Sequence, residues 1–420
     1  MRNFIMKRFF IKHSLLFLCA CQIFAQRITP VNEGAKKFEF KYRENDAYRI
    51  LSTVEEDVYI NGIKHHTSEI LNRVSVKVTS VDEKNMTAVH NGTFMTSENS
   101  VLAKTLGNKT FSYGEEYTSI FTRDRFGVYT IDDKYFMPVV RDVPVFPDRE
   151  IAPGEKWTYK GHEAHDLRRI FNLEKPYKVP FNANYEYLGA VTENNRKFDV
   201  FQIYYEMSFS LDTSRMAQLG EIPETTTGFS SQLVFWDSDK GAIDHYSESF
   251  KIEIITNYNN VMTFIGTAHA EITEFQRTAT KQNVEEITKK ISALGINDVN
   301  VKSTDKGLTL SIENIQFKAD SDILLESEKL KLNKIAEIIS NYPNNDLLVT
   351  GHTALRGDER SRQELSEKRA ESVAQYLIQL GVKDNYHIFT QGKGAKEPVA
   401  SNSTESGRSK NRRVEITILD

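Results

Sequence analysis

The chain has 420 residues, with 54 Lys and Arg against 58 Asp and Glu and a formal net charge of −4. This length exceeds one typical hydrophobic core and predicts two or three domains. Residues 281–420 contain 21 basic and 21 acidic side chains, so the acidic excess lies before them. A mildly acidic chain lacks the basic face that nucleic-acid binding requires, and we expect no nucleic-acid partner.

The first 25 residues have the pattern of an export signal. The basic segment MRNFIMKRFFIKH precedes the apolar run SLLFLCACQIF and the small residue Ala25. An apolar run of about eleven residues is too short for a membrane span, which needs roughly 20. We therefore predict a signal peptide over residues 1–25, cleavage after Ala25 and a periplasmic destination.

Both cysteines of the chain, Cys19 and Cys21, lie within this segment. Cleavage after Ala25 leaves a mature chain without cysteine, which excludes disulfides and thiol catalysis. A second interpretation stays open, in which residues 18–21 form a loose lipobox and Cys21 is acylated. The protein would then be anchored at the periplasmic face of the outer membrane.

Residues 26–280 have the period-two alternation of β-strands, with Asn, Asp and Gly turns between short runs. Phe38, Phe40 and Tyr42 alternate with charged residues. In FDVFQIYYEMSFSL the apolar positions change phase between Val200 and Phe201, which predicts a β-bulge. The pattern indicates an all-β region, antiparallel and sandwich-like.

A proline-rich stretch near residues 140–156, VRDVPVFPDREIAPGEK, interrupts this β region. Proline is unfavourable inside a sheet, so the stretch is a boundary or a long loop. Two interpretations remain open: a β-rich domain over 26–150 is followed either by a second β-rich domain over 151–280 or by a continuation of the first.

Helical patterns alternate with strands from about residue 281 onward. NVEEITKKISALG reads as a helix that ends at Gly295, and ESEKLKLNKIAEIISNYP reads as a helix that stops at Pro343. The next helix carries Ser361 and Glu364 at the spacing of a capping box and ends at Gly381. Alternating elements of this kind predict a multi-domain chain whose residues 281–420 form an α/β sandwich domain.

Several separate motifs occur in order within this last third: IQFKADSDIL, GHT followed by Gly357, LSEKRAESVAQYL, QGKGAKEPVASN and SGRSKNRRVEI. The segment from Ile315 to Ile418 thereby resembles the OmpA-like peptidoglycan-binding domain, which also occurs in Pal lipoproteins and flagellar stator proteins. The resemblance implies an α/β sandwich that holds the peptide stem of peptidoglycan. It implies nothing about the first two thirds of the chain.

In typical members an Asp after Gly-His-Thr pairs with the amino group of diaminopimelate, and an Arg on the following helix grips its carboxylate. Arg369 stands where that Arg belongs, and its planar fork suits a carboxylate. The resemblance implies the following candidate ligand-binding residues: Phe317, Thr353, Ala354, Arg362, Leu365, Ser366, Arg369, Arg412 and Arg413. We expect His352 to be buried and hydrogen-bonded rather than ligand-binding.

Two positions depart from the family pattern. Ala354 replaces the Asp, and Arg362 replaces an Asn that commonly lines the same pocket. The lost charge-assisted hydrogen bond is worth roughly 1.5–3 kcal/mol, or one to two decades of affinity. Asp358 and Glu359, in the same loop, are candidate substitute acids. Two readings follow: a ligand with carboxylates and no essential amine, or a domain that has kept its fold and lost peptidoglycan binding.

No motif for nucleotide binding, nucleophilic hydrolysis or zinc-dependent proteolysis occurs, so we expect neither an enzyme nor a cofactor. The run GHEAHDLRR, with His162, His165 and Asp166, lacks a further well-placed ligand, and no metal site is expected. The leading hypothesis is a non-enzymatic cell-envelope protein with weakened or altered peptidoglycan association.

Two alternatives remain for the function. The first is an outer-membrane β-barrel porin of OmpA type, in which residues 27–280 would form the barrel. Most runs in this region are shorter than the 9–11 residues that barrel strands need, and proline interrupts the middle. The second is a periplasmic module that binds lipid or another envelope component through its β region, with an OmpA-like domain that no longer binds peptidoglycan.

Overall fold

A computed structural model of the chain describes residues 34–101, 110–212, 220–275, 277–318 and 321–420. The predicted signal peptide, its cleavage site and both cysteines lie outside these ranges. The described residues are mostly β and form a twelve-stranded sheet and a six-stranded sheet. We refer to the part built on the first as the sheet domain and to the part built on the second as the C-terminal domain.

The twelve strands of the sheet domain come from both sides of the proline-rich stretch, in one continuous antiparallel sheet. Their bounds are β1 Ala47–Ile60, β2 Ile63–Asp82, β3 Thr87–Val101, β5 Glu116–Asp124, β6 Tyr129–Ile131, β7 Val140–Arg141, β8 Lys156–His165, β9 Tyr177–Glu193, β10 Arg196–Ser210, β11 Pro223–Asp237, β12 Ala242–Thr256 and β13 Val261–Glu274. A short helix, α1 Arg168–Phe171, follows β8.

The sheet is nearly closed, with the order β6-β5-β3-β2-β1-β13-β12-β11-β10-β9-β8-β7. Its two edge strands, β6 and β7, lie close together. The backbone N–H of Tyr129 in β6 donates to the Asp142 carboxylate just after β7, at 2.8 Å. A two-sheet sandwich was expected from the alternation alone. Long, twisted strands instead let one sheet curl over its own inner face.

Aromatic side chains fill much of the inside of this sheet. Strand β9 shows why, since Tyr177, Val179 and Phe181 are buried while Pro180 and Asn182 on the other face are exposed. The buried side chains packed on this inner face include Phe38, Phe146, Tyr187, Phe201, Tyr205 and Trp236. The predicted bulge is confirmed, because the pairing of β10 with β9 shifts register between Val200 and Phe201.

The C-terminal domain has a six-stranded sheet in the order β14-β15-β18-β16-β17-β4. Its strands are β4 Phe111–Ser112, β14 Val299–Ser303, β15 Gly307–Glu313, β16 Leu347–Gly351, β17 Ile388–Gly392 and β18 Arg413–Leu419. Its helices are α2 Lys281–Ala293, α3 Glu326–Ile339, α4 Glu359–Gln379 and α5 Glu405–Asn411. None of the described helices is both long and apolar enough to cross a membrane.

Helices α2, α3 and α4 of this domain pack on one face of the sheet. Ile287 of α2, Leu332 of α3 and Val373 of α4 share a buried core with Leu347 and Val349 of β16. The three long predicted helices are present. The predicted capping box is wrong, because α4 begins at Glu359 and Asp358 is its N-cap, with the carboxylate accepting from the backbone N–H of Ser361 at 2.9 Å.

The two domains are in direct contact through a second, mixed core. Leu51, Leu71 and Met95 of the sheet domain are buried against Leu348 and Phe389 of the C-terminal domain. Strand β4 belongs to the segment that precedes β5 of the sheet domain, yet it pairs in parallel with β17 of the C-terminal domain. The sequence patterns contain no indication that β4 pairs with a strand of the other domain.

Candidate functional site

The candidate site lies where the parallel strands β16 and β17 end, at Gly351 and Gly392. Helix α4 packs closely on these strand ends. A Cβ atom at Gly351 would lie 2.1 Å from the carbonyl oxygen of Ser366 in α4, and one at Gly392 would lie 2.4 Å from Cγ of Glu367. These glycines therefore allow α4 and the loop 352–357 to meet at one edge of the sheet.

The first two residues of this loop are held by the protein itself. The backbone N–H of His352 donates to the Arg413 carbonyl at 2.9 Å, and that of Thr353 donates to the Gly394 carbonyl at 2.8 Å. His352 is buried as expected, but the expected hydrogen bonding of its ring is wrong, because neither ring nitrogen has a hydrogen-bond partner among the described residues. Burial lowers the pKa of His352 to about 4, with a smaller effect from the charge of Arg413, so the ring is neutral at pH 7.

Ala354 presents only a methyl group at the position where the resemblance implies an acid, and it is 6 % exposed. The following residue, Leu355, is 58 % exposed. Its backbone N–H donates to the side chain of Asn402 at 3.0 Å, which fixes the loop against the segment before α5. The loop therefore keeps an ordered shape without supplying a carboxylate at this point.

Arg369 and Phe317, which the resemblance placed in one site, are brought together. The guanidinium carbon of Arg369 lies 4.7 Å from the centre of the Phe317 ring, a cation–π arrangement that orients the charged group. Phe317 lies just beyond β15 and pairs with Leu324 through an isolated bridge. Leu365 lies one turn before Arg369 on α4 and is half-buried.

Ser366 contributes to the shape of the site rather than to its surface. It is fully buried, donates its hydroxyl proton to the Gln363 carbonyl at 2.7 Å and accepts from the backbone N–H of Gly394 at 2.9 Å. Thr353 is also buried, and its hydroxyl has no hydrogen-bond partner among the described residues.

The predicted arginines differ in what they contact. Arg413 is 3 % exposed, lies 2.9 Å from the Glu415 carboxylate and donates to the Glu397 carbonyl at 3.1 Å. Its charge is neutralised inside the protein, and it adds less positive potential to the site than expected from its position in the sequence. Arg412 is half-exposed and pairs with Glu405 at 2.8 Å. Arg362 donates to the Gly357 carbonyl and closes the loop.

The two candidate substitute acids also have roles within the protein. The Asp358 carboxylate caps α4, and its hydrogen bonds with Ser361 hold the pKa of the Asp358 carboxyl below its ordinary value. Glu359 lies 3.6 Å from the ammonium group of Lys396. Both side chains are exposed, but the cap ties Asp358 to the helix terminus.

Residues that the sequence reasoning missed hold the surrounding loops together. Gln363 donates to the Gly392 carbonyl at 2.7 Å and so ties α4 to the end of β17. The buried side chain of Asn411 accepts from the backbone N–H groups of Val399 and Ala400, at 2.8 and 3.0 Å. The sequence offered no local signal for either contact, because each depends on how distant segments pack.

The structure also describes the histidines of β8 and the groups of side chains that could hold a metal ion. His162 and His165 lie on strand β8 and have separate neighbours, with His165 2.9 Å from Glu163 and His162 3.8 Å from Asp142. Among the described residues, no group of three or more His, Cys, Asp or Glu side chains is placed to hold a metal ion.

Comparisons with known proteins match the C-terminal part of this chain. The model of the OmpA family matches residues 316–412, the range that contains Phe317, the loop after β16 and all of α4. The outer-membrane lipoprotein YfiB of Pseudomonas aeruginosa is 36% identical over 122 residues, which are 27% of this chain and 72% of that protein. The chain belongs to the OmpA family.

Two further relatives match the same OmpA-like domain. The probable lipoprotein YiaD of Escherichia coli is 41% identical over 105 residues, which are 25% of this chain and 48% of that protein. The peptidoglycan-binding protein ArfA of Mycobacterium tuberculosis is 39% identical over 104 residues, which are 25% of this chain and 32% of that protein. The chain thus spans half or less of the length of these two relatives, and the similarity concerns the OmpA-like domain.

Proposed function

We propose that this protein is a non-enzymatic component of the cell envelope that associates with peptidoglycan through its OmpA-like domain, with altered or weakened binding. One observation carries the proposal: Arg369 lies over Phe317 at the candidate site, while Ala354 stands where the family has its acid. This arrangement supports a cationic half of a clamp for a zwitterionic peptide stem at Arg369, without an anionic half at position 354.

The charges at the site favour a carboxylate-bearing ligand. Arg369 offers a planar donor fork, which suits the carboxylate of a peptide stem. Asp358 is held at the helix terminus by its capping bonds. Loss of one charge-assisted hydrogen bond lowers affinity by about one to two decades, which weakens binding without abolishing it.

Sedimentation with purified sacculi tests the proposal. The mature chain is expected to co-sediment with sacculi, and Arg369→Ala is expected to reduce the bound fraction about tenfold or more. Arg360→Ala is the matched control, because Arg360 lies on the same helix and is almost fully exposed, with a surface partner in Glu364. Absence of wild-type binding, or equal losses in the two variants, would overturn the proposal.

We also propose that residues 26–280 form one β domain that lies in the periplasm or at the periplasmic face of the outer membrane. Strands from both sides of residue 150 share one sheet, which supports a single domain. On strand β9 the exposed positions Asn182 and Asn184 face away from the aromatic core, and these polar side chains are compatible with water. Names of relatives as lipoproteins support an envelope location.

A second candidate function rests on the inner face of the sheet domain. Phe250, Ile252, Met262 and Phe264 lie on inner-face positions of β12 and β13 but are only half-buried. This apolar surface supports binding of a lipid or a similar envelope component. Native mass spectrometry of the detergent-free protein is expected to show a bound lipid, and a bare mass for freshly purified protein would argue against this candidate.

A further inference from the structure

The face of the OmpA-like sheet opposite helices α2, α3 and α4 is covered by the sheet domain. Alternate residues of a strand point to opposite faces, so Leu347 and Val349 of β16 face the helices while Leu348 faces the other way. Leu348, Phe389 and Leu419 are buried there in the mixed core with Leu51 and Leu71. The sheet domain therefore packs on this sheet as a layer opposite the helices.

Three buried charges lie at the edge of this contact. Asp346, immediately before β16, has no exposed surface, and its carboxylate binds Arg49 of β1 and Arg73 of β2. The Nε atom of Arg73 lies 2.7 Å from the carboxylate, and its Nη2 atom donates to the carbonyl of Asp420 at 3.0 Å. Such ion clusters contribute little net stability, because burying charges is costly, and their best-attested role is to select one register.

Strand β4 extends the same contact toward the candidate site. Phe111 pairs with Phe389, and the backbone N–H of Tyr113 donates to the carbonyl of Thr390 at 2.8 Å. The Thr110 hydroxyl donates to the carboxylate of Glu371 and lies 3.2 Å from the hydroxyl of Thr390. Glu371 follows Arg369 by two residues on α4, and Thr390 precedes Gly392 by two residues on β17.

We propose that the Arg49–Asp346–Arg73 cluster is a latch that fixes the sheet domain on the OmpA-like domain, and that β4 couples the latch to the candidate site. The cluster lies at the start of β16, and the candidate site lies at its end. Opening the latch releases β4 from β17 and from Glu371, and so loosens the two elements that carry Gly392 and Arg369. The consequence for peptidoglycan affinity rests on the proposed function, whereas the coupling itself does not.

Hydrogen–deuterium exchange of the mature chain, followed by mass spectrometry, tests the coupling without any ligand. Asp346→Asn keeps the size of the side chain and removes the negative charge that both buried arginines share, which leaves Arg49 with its longer contact to Glu271, at 4.0 Å. Thr110→Val removes the hydroxyl that reaches Glu371 and is a milder change that keeps the latch. Glu326→Gln is the control, because Glu326 makes a surface ion pair with Lys329 on α3.

Both test variants are expected to raise exchange at least about tenfold in β17 and in the first half of α4, with β9 to β11 at wild-type rates. The control is expected to match the wild type throughout. Unchanged exchange in β17 and α4 in both variants would overturn the proposal. A uniform increase that includes β9 to β11 would do so as well, because it would show a general loss of stability.

Sacculus affinity is the second readout. If the wild type binds sacculi, Thr110→Val is expected to bind several-fold more weakly at a temperature where it is fully folded. Wild-type affinity in Thr110→Val, despite faster exchange in α4, would refute the link from latch to site. Failure of the wild type to bind would refute the proposed function, and the exchange experiment would still decide whether the latch exists.

Discussion

The buried histidine at the end of β16 makes the stability of this protein sensitive to mild acid. His352 has a pKa of about 4 in the folded chain because of its burial and the neighbouring Arg413. In the unfolded chain its pKa returns to about 6.5. Between about pH 4 and pH 6.5, His352 is protonated in the unfolded state and neutral in the folded state. Stability is therefore lost as the pH falls from about 6.5 towards 4, and linkage gives a loss of about 2 kcal/mol between pH 7 and pH 5.

Urea unfolding of the wild type and of His352→Gln at pH 7, 6 and 5 measures this effect. Carboxylates titrate in both proteins, so the difference between the two pH dependences isolates the imidazole. We expect the wild type to lose about 2 kcal/mol more than the variant over this range. The same pH dependence in both proteins would refute the assignment of a neutral, buried His352.

Two further predictions concern other buried positions. Burial raises the pKa of Glu248 to about 7, so its protonated form stabilises the fold at low pH, and this contribution is lost as the pH rises through 7. Urea unfolding should show that the wild type loses roughly 1 kcal/mol of stability between pH 6 and 9 and that Glu248→Gln does not. The same pH dependence in both proteins would contradict this prediction. Gly351→Ala would place a Cβ atom 2.1 Å from the Ser366 carbonyl oxygen and should lower the free energy of unfolding by about 1–3 kcal/mol or more, measured by thermal unfolding. The control Gly34→Ala, with open space around it, should leave the stability unchanged. Equal stability of the two variants would show that α4 does not pack as described.

Local patterns predicted the elements of the C-terminal domain well. Strands and helices there alternate along the chain, and each helix carries its own apolar stripe, as Leu332 and Ile335 of α3 do. The start of α4 was misplaced, because Asp358 and Ser361 are both good N-caps and only the backbone geometry decides between them.

The arrangement of the sheet domain could not be read from local sequence. Strand β1 pairs with β13, with Tyr48 opposite Glu274, and nothing near either residue identifies its distant partner. Strand β4 has two residues and no recognisable period, so its place in the other domain depends on tertiary packing. The bulge in β10 was predictable because a change of phase is a local signal.

At the candidate site too, some features were predictable from the sequence and others depend on tertiary packing. The contact of Arg369 with Phe317 follows from the family resemblance. The burial of Arg413 was missed, although Glu415 lies two residues away on the same strand face and was a readable signal of an internal pair. The capping role of Asp358 likewise depends on where α4 begins.

The decisive measurement is the affinity of Ala354→Asp for purified sacculi that contain diaminopimelate. The proposed function assigns the cationic arm to Arg369 and leaves position 354 without an anionic arm. It predicts that Ala354→Asp binds about ten to a hundred times more tightly than the wild type, from a regained bond worth about 1.5–3 kcal/mol. The uncharged variant Ala354→Asn is predicted to stay near the wild-type affinity. An Ala354→Asp affinity no higher than that of Ala354→Asn would contradict the account.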